Sequence, residues 1–98
     1  MAEKNQLAIP PLAKADPKSF ELIRAWVAQG DLHVSLQLGG WEDPTAWGVV
    51  LADVLRHVAN FYEEKKGIDP EETIARVKAA FDAEVESPTD DAEGGLVQ

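Results

Sequence analysis

The sequence predicts a small α+β domain in which an antiparallel β-hairpin is followed by two α-helices packed on one face of the hairpin. Apolar and polar residues alternate from Leu32 to Leu38, which is the pattern of a half-buried strand. Apolar residues then recur at helical spacing over about 44–65 and again over about 70–85. These patterns predict strands first and helices afterwards, the order of an α+β fold.

Residues 17–29 allow two interpretations. A lone strand at 32–38 would leave its backbone groups unpaired, which favours a second strand over about 22–29, joined through a Gly30-Asp31 turn of type II′. This register sets Val27 opposite Val34 on an apolar face. The alternative is a helix over about 17–29 that ends at Gly30, which would make the chain mostly α.

The predicted helix boundaries are marked by proline and glycine residues. Three Asp-Pro pairs, at 16–17, 43–44 and 69–70, are possible helix starts, because aspartate is a good N-cap and proline fits the first helical turn. Glu72 follows Asp69 at capping-box spacing and also stands four residues before Arg76, in the favourable ion-pair order. The central helix has apolar side chains over more than half its circumference and ends at Gly67, so we expect it to be covered on two sides.

The predicted organisation is one domain with two tails. Residues 1–18 are expected to be extended or flexible, residues 19–86 to form a single α+β domain, and residues 87–98 to be an acidic disordered tail. The N-terminus lacks the apolar region of a secretory signal, so a cytoplasmic location is expected.

Charge excludes some partners. The chain has 18 acidic and 9 basic residues, a formal net charge of -9, which disfavours binding to nucleic acid or to anionic membranes. The same charge suggests one alternative function, an acidic inhibitor that mimics nucleic acid and blocks a basic partner. No cysteine is present, so disulfides and thiolate metal sites are excluded.

The face of the hairpin away from the apolar side chains carries the main candidate site. In the predicted register Trp26 lies opposite Ser35, Arg24 opposite Gln37, and Ala28 opposite His33. Aromatic and arginine side chains dominate interaction hot spots, so Arg24, Trp26, His33 and Gln37 are predicted to bind a partner or a ligand. The competing interpretation is that the Pro10-Pro11 segment or a second subunit covers Trp26 for stability alone.

A second polar pair is Asp53 with His57, one helical turn apart. A carboxylate can orient an imidazole for metal binding or base catalysis, but a zinc site needs at least three ligands, so a solvated ion pair is preferred. The serines lie in no nucleophile motif, and no phosphate-binding or dinucleotide-binding glycine pattern is present. The sequence therefore predicts no catalytic residues, no cofactor and no metal.

The stretch Gly39-Gly40 precedes a helix N-terminus, where anions commonly bind. Glu42 and Asp43 place carboxylates where an anion would lie, so the two glycines are predicted to be a flexible structural corner. Trp41 precedes the cap and is expected to staple it to the following turn.

The segments LIRAWVAQGDLHVSLQL and DPTAWGVVLADVLRHVANFY, within residues 21–62, resemble a family of uncharacterised bacterial proteins of about 100 residues, known as a domain of unknown function. The resemblance implies the strand interpretation and a bacterial cytoplasmic setting, and it assigns no catalytic residues. The favoured function is a small non-enzymatic interaction or accessory protein. The alternative is a small-molecule binding protein or small enzyme with a pocket between hairpin and helices. The unpaired edges of a two-stranded sheet also predict a homodimer.

Overall fold

The structure is a computed structural model that describes residues 5–89 and 96–97. The elements in chain order are α1 (Pro11–Ala15), β1 (Ile23–Ala28), β2 (Asp31–Leu36), α2 (Thr45–Lys66), α3 (Pro70–Glu86) and β3 (Leu96–Val97). The predicted α+β class, with a hairpin followed by two helices, is confirmed. The packing of those helices on the apolar face of the hairpin stays a prediction.

Contacts divide the chain into two units, residues 1–39 with 94–98, and residues 40–93. The first unit contains the sheet, whose strand order is β1-β2-β3. β3 pairs in parallel with β2, through Leu96 beside Val34 and Val97 beside Ser35. Two residues of the predicted disordered tail therefore form a strand, and residues 90–95 and 98 lie outside the described residues. The boundaries 19–86 of a single domain remain a prediction.

The register of the hairpin differs from the predicted one by two residues. Ala28 pairs with Asp31, so the turn is Gln29-Gly30 and not Gly30-Asp31. Both turn residues have positive φ, 54° and 82°, as a type I′ turn requires, and the twist of that turn matches the twist of the strands. A shift of two residues keeps every side chain on its predicted face, because side chains alternate with a period of two. The alternative of a helix over 17–29 is wrong.

The N-terminal segment contains one short helix, and its extended or flexible character over residues 1–18 stays a prediction. α1 begins after Pro10 and ends before Asp16, so Asp16-Pro17 ends a helix where the sequence suggested a helix start. The carboxylate of Asp16 accepts the N–H of Lys18 at 2.9 Å and thereby forms a turn. A proline at the first helical position favours α1, but five residues make barely more than one turn.

The second unit is a pair of helices joined by Gly67–Asp69. Gly67 has φ +70° and its N–H donates to the carbonyl of Glu63, while the N–H of Ile68 donates to the carbonyl of Tyr62. This is the left-handed glycine cap that the sequence predicts. At α3 the carbonyl of Asp69 accepts the N–H groups of Glu72 and Thr73, and Asp69 makes no side-chain cap. The expected ion pair between Glu72 and Arg76 is present.

Few side chains are buried in the described part of the chain. Only Ala59, which is 1% exposed, and Thr73, which is 6% exposed, are buried among the described residues. No large apolar side chain in this part of the chain is fully buried. Among the described residues, no helix is long and apolar enough to cross a membrane.

Candidate functional site

The predicted site residues of the hairpin lie on one face, as the period of two requires. Trp26 lies directly opposite His33, and Arg24 lies opposite Ser35. Gln37 continues the same face beyond the end of β2, where its N–H donates to the carbonyl of Leu22 at 2.9 Å. The pairs Trp26–Ser35, Arg24–Gln37 and Ala28–His33 predicted from the sequence are therefore wrong, because the turn lies one residue earlier than expected.

Arg24 is held by local contacts. Its guanidinium forms an ion pair with Glu21, with one N–O distance of 3.0 Å and a second contact from Nε at 3.3 Å. The side-chain amide of Gln37 donates to the carbonyl of Glu21 at 3.4 Å. Glu21 thus links two of the four predicted residues and fixes the orientation of Arg24.

Trp26 and Arg24 also line a groove of about 710 Å³ in the first unit. The opposite wall is the N-terminal segment, whose Leu7 and Ile9 are exposed. Trp26 is itself half-buried.

Pro10 belongs to the segment that one interpretation of the sequence sets over Trp26, and it lines the groove. Residues 5–9 show neither strand nor helix periodicity, so their place in this wall was not expected. Pro10 has φ -59° and ψ 144°, and Pro11 begins α1, so the backbone of this wall changes from non-helical to helical between the two prolines.

The other face of β1 contrasts with this arrangement. Val27 is 78% exposed in the single chain, and Leu32, its cross-strand neighbour, is 58% exposed. Val27 is adjacent to Trp26 in sequence, but its side chain lies on the opposite face of the hairpin. A substitution of Val27 is therefore a matched control for a substitution of Trp26.

A family model for the Domain of unknown function (DUF5076) matches residues 6–89. The chain belongs to this family. No curated protein matches the chain significantly. Among solved structures, this DUF5076 chain is similar to a protein of the photosynthetic bacterium Rhodopseudomonas palustrus CGA009 that is described as a "putative pyruvate dehydrogenase". The similarity covers 100% of both chains, with 32% sequence identity and a TM-score of 0.75.

Asp53 and His57 of this family member lie one turn apart on α2, but the carboxylate of Asp53 bonds to Arg56 at 3.1 Å. His33 belongs to the first unit and His57 to the second. Among the described residues, no three or more histidine, cysteine, aspartate or glutamate side chains are grouped to hold a metal.

The corner before α2 has a structural role, as the sequence predicts. The carboxylate of Asp43 accepts the N–H of Thr45 at 2.9 Å. This backbone hydrogen bond, and a second one from the Thr45 side chain, lower the pKa of Asp43 from its ordinary value. The rings of Trp41 and Trp47 meet edge to face with centroids 5.7 Å apart, which joins the corner to the first turn of α2. The helix N-terminus is therefore already occupied by the chain's own carboxylate.

The two helices of the DUF5076 chain carry large apolar side chains that are exposed in the single chain. Eight large apolar side chains of this pair are exposed in the single chain, namely Val49, Leu51, Val54, Phe61, Tyr62, Val77, Phe81 and Val85. The periodicity identifies these residues as apolar but contains no information about what covers them.

Proposed function

We propose that this chain is a small non-enzymatic accessory protein of the bacterial cytoplasm that binds another protein and forms a homodimer. The observation that supports partner binding is the groove of about 710 Å³ between β1 and the N-terminal segment, lined by Trp26 and Arg24. Tryptophan and arginine are the residue types most enriched where truncation weakens protein complexes.

The groove suits an extended segment of a partner. β1 is an edge strand in the described sheet, the position at which a partner segment can add as a further strand. The exposed Leu7 and Ile9 on the opposite wall would contact apolar side chains of such a segment. Because Arg24 is already paired with Glu21, it would contribute mainly its flat guanidinium surface.

The activity in the description of the Rhodopseudomonas protein is not part of this proposal. The groove offers aromatic and apolar contacts, its arginine is ion-paired, and neither histidine of the chain lines it. Glu21, which is held in the ion pair with Arg24, and Lys14 also line the groove, and the proposal assigns neither of them a role as general acid or base.

The test is partner capture with matched variants of adjacent residues. The full chain is immobilised, exposed to a lysate of the source bacterium, and the retained proteins are identified by mass spectrometry. Trp26→Ala should reduce retention of a specific partner by about 30-fold, corresponding to a hot spot of about 2 kcal/mol. Val27→Ala, on the opposite face, should retain it. Equal retention by both variants, with circular dichroism showing both folded, would contradict the proposal.

A small-molecule ligand is the second candidate, because about 710 Å³ lies within the roughly 300–1,000 Å³ of known ligand pockets. The same lysate distinguishes the two candidates. A protein partner is destroyed by prior protease treatment and is absent from a low-molecular-weight filtrate. A small ligand survives in that filtrate and, by binding near Trp26, changes the tryptophan fluorescence of the wild type but not of Trp26→Ala.

A further inference from the structure

We propose that the segment bound in the groove is an extended acidic strand of a partner protein. The segment adds to the edge of β1 that faces away from β2, and one of its carboxylates pairs with Lys14. This inference rests on the partner binding proposed above, and it names the conformation and the charge of the segment that is bound.

The groove runs along the edge of β1. Four consecutive residues of this strand, from Ile23 to Trp26, line it, whereas no residue of β2 does. Consecutive side chains of a strand lie on opposite faces of the sheet, so a groove that reaches all four lies beside the backbone edge and not over one face. Since β2 pairs with the other edge of β1, the groove lies on the side where the sheet ends.

The N-terminal segment forms the other wall without closing the groove. Residues 5–10 line it in an unbroken run, and none of them pairs with β1 as a strand. An added strand lies about 4.8 Å from its neighbour, and the four lining residues of β1 offer about 13 Å of strand to pair with it. The groove of about 710 Å³ therefore has the form of a slot for a short extended segment.

The other edge of the same sheet is already extended by a short segment. β3, a strand of two residues, adds in parallel to β2 through Leu96 and Val97. This pairing occupies the free edge of β2, so β1 is the edge of the described sheet at which a partner's segment can add.

The charged residues of the groove leave one cation without a counterion. Glu21 and Arg24 form an ion pair with each other. Lys14, the third charged residue among the described lining, forms no ion pair within the described part of the chain. The described lining therefore has a net positive charge in a chain whose formal net charge is -9. A carboxylate is the group that pairs with the ammonium of Lys14.

Apolar side chains of the groove define the rest of the segment. Leu7, Ile9 and Phe20 line the groove and are exposed in the single chain. Contact with apolar side chains of the partner would remove them from water, which favours binding. The segment is therefore expected to combine apolar residues with at least one aspartate or glutamate.

The charge of the ligand distinguishes this local site from the field of the whole chain. A chain with 18 acidic and 9 basic residues attracts basic peptides in general. A preference for acidic peptides would run against that attraction, so it would have to come from the groove.

Selection from a library of random linear peptides, displayed on phage and with the full chain as target, tests the proposal. Peptides bound by the wild type should be enriched in aspartate, glutamate and apolar residues and depleted in lysine and arginine. Lys14→Glu should select basic peptides instead. Lys18→Glu is the matched control, because Lys18 also forms no ion pair among the described residues and does not line the groove. It should select the same peptides as the wild type.

Fluorescence anisotropy with one selected acidic peptide measures the size of the effect. Lys14→Glu should raise the dissociation constant about three- to tenfold, the scale expected when an exposed ion pair is replaced by repulsion. A peptide with lysine in place of its acidic residue should recover the lost affinity for Lys14→Glu. Lys18→Glu should bind both peptides as the wild type does.

Methylation of the peptide's backbone nitrogens tests the strand geometry. The N–H groups of alternate residues in a strand point to opposite sides, so one alternate set faces β1. Methylation of that set should abolish binding, and methylation of the other set should weaken binding much less. Equal effects of the two sets would overturn strand addition.

The outcomes separate this inference from the proposed function. Selected peptides that lose binding to a folded Trp26→Ala variant, but contain no excess of acidic residues, preserve the groove as a binding site and overturn the acidic segment. Acidic peptides that bind the wild type and Lys14→Glu equally well overturn the role of Lys14. A wild type that selects no peptide, or only peptides that Trp26→Ala binds equally well, overturns both this inference and the proposed binding of an extended segment in the groove.

Discussion

At the scale of single residues, Gly39 is the position where the backbone and a neighbouring side chain both require glycine. Its φ is +64°, and an added Cβ atom would lie 2.8 Å and 2.9 Å from two ring atoms of Phe20. Gly40 has φ +88° but no heavy atom within 4 Å of its added Cβ. A comparison of substitutions at Gly39 and Gly40 therefore distinguishes the cost of backbone strain from the cost of a clash with Phe20.

We expect Gly39→Ala to destabilise the fold more than Gly40→Ala. Left-handed backbone costs an L-residue about 1–2 kcal/mol, and Gly39→Ala must in addition displace the Phe20 ring. Free energies of unfolding from urea titrations check this. In a Phe20→Ala background the excess cost at Gly39 should disappear. Equal effects of the two substitutions in the wild-type background would show that Phe20 does not restrict this corner.

At the scale of elements, the start of α2 depends on one carboxylate. The hydrogen bonds that Asp43 accepts from Thr45 hold its pKa below the ordinary value of an aspartate, so the ionised form is favoured in the folded chain. A depressed folded pKa gives a stabilisation that is present above the unfolded pKa and is lost as pH falls through the folded pKa.

Asp43→Asn should therefore reduce the loss of stability in acid. The wild type is expected to lose free energy of unfolding as pH falls below about 4, the ordinary range of aspartate, while the variant shows a smaller loss because its amide does not titrate. Urea titrations at several pH values measure how the free energy of unfolding of each protein changes with pH. Glu42→Gln removes the adjacent carboxylate and is the control. If Glu42→Gln changed the pH dependence of the free energy of unfolding as much as Asp43→Asn, the effect would come from the loss of a negative charge and not from this hydrogen bond.

Some features of these elements could be predicted from the sequence and others could not. The helix ends follow from local chemistry, as Gly67 and Pro70 illustrate, and the face of each strand residue follows from alternation. The hairpin register does not follow from the local sequence, because a glutamine such as Gln29 rarely adopts the positive φ that it has in this turn. One interpretation of the sequence sets the Pro10-Pro11 segment against Trp26, and Pro10 lines the same groove. The position of residues 5–9 does not follow from periodicity, because it depends on tertiary contacts.

At the scale of the whole molecule, exposed apolar side chains favour the proposed dimer and like charge opposes it. All of the described charge excess lies in residues 40–89, the same part that leaves most of its helical apolar side chains exposed. Apolar burial must then outweigh like-charge repulsion for the dimer to form. With about 1.5–3 kcal/mol for each fully buried large apolar side chain, a few such residues per copy are sufficient.

Folding and dimerisation should consequently be a single linked equilibrium. If the folded state exists only as a dimer, mass action raises the thermal midpoint with protein concentration, by about 3–5 °C per tenfold increase for two chains of this length. Calorimetry over a range of about 100-fold in concentration measures the shift. Phe81→Ser should melt lower than the wild type, whereas Val27→Ser should keep the concentration dependence of the wild type. A midpoint independent of concentration would mean that the single chain is stable alone, and that its exposed helical side chains are covered from within the chain.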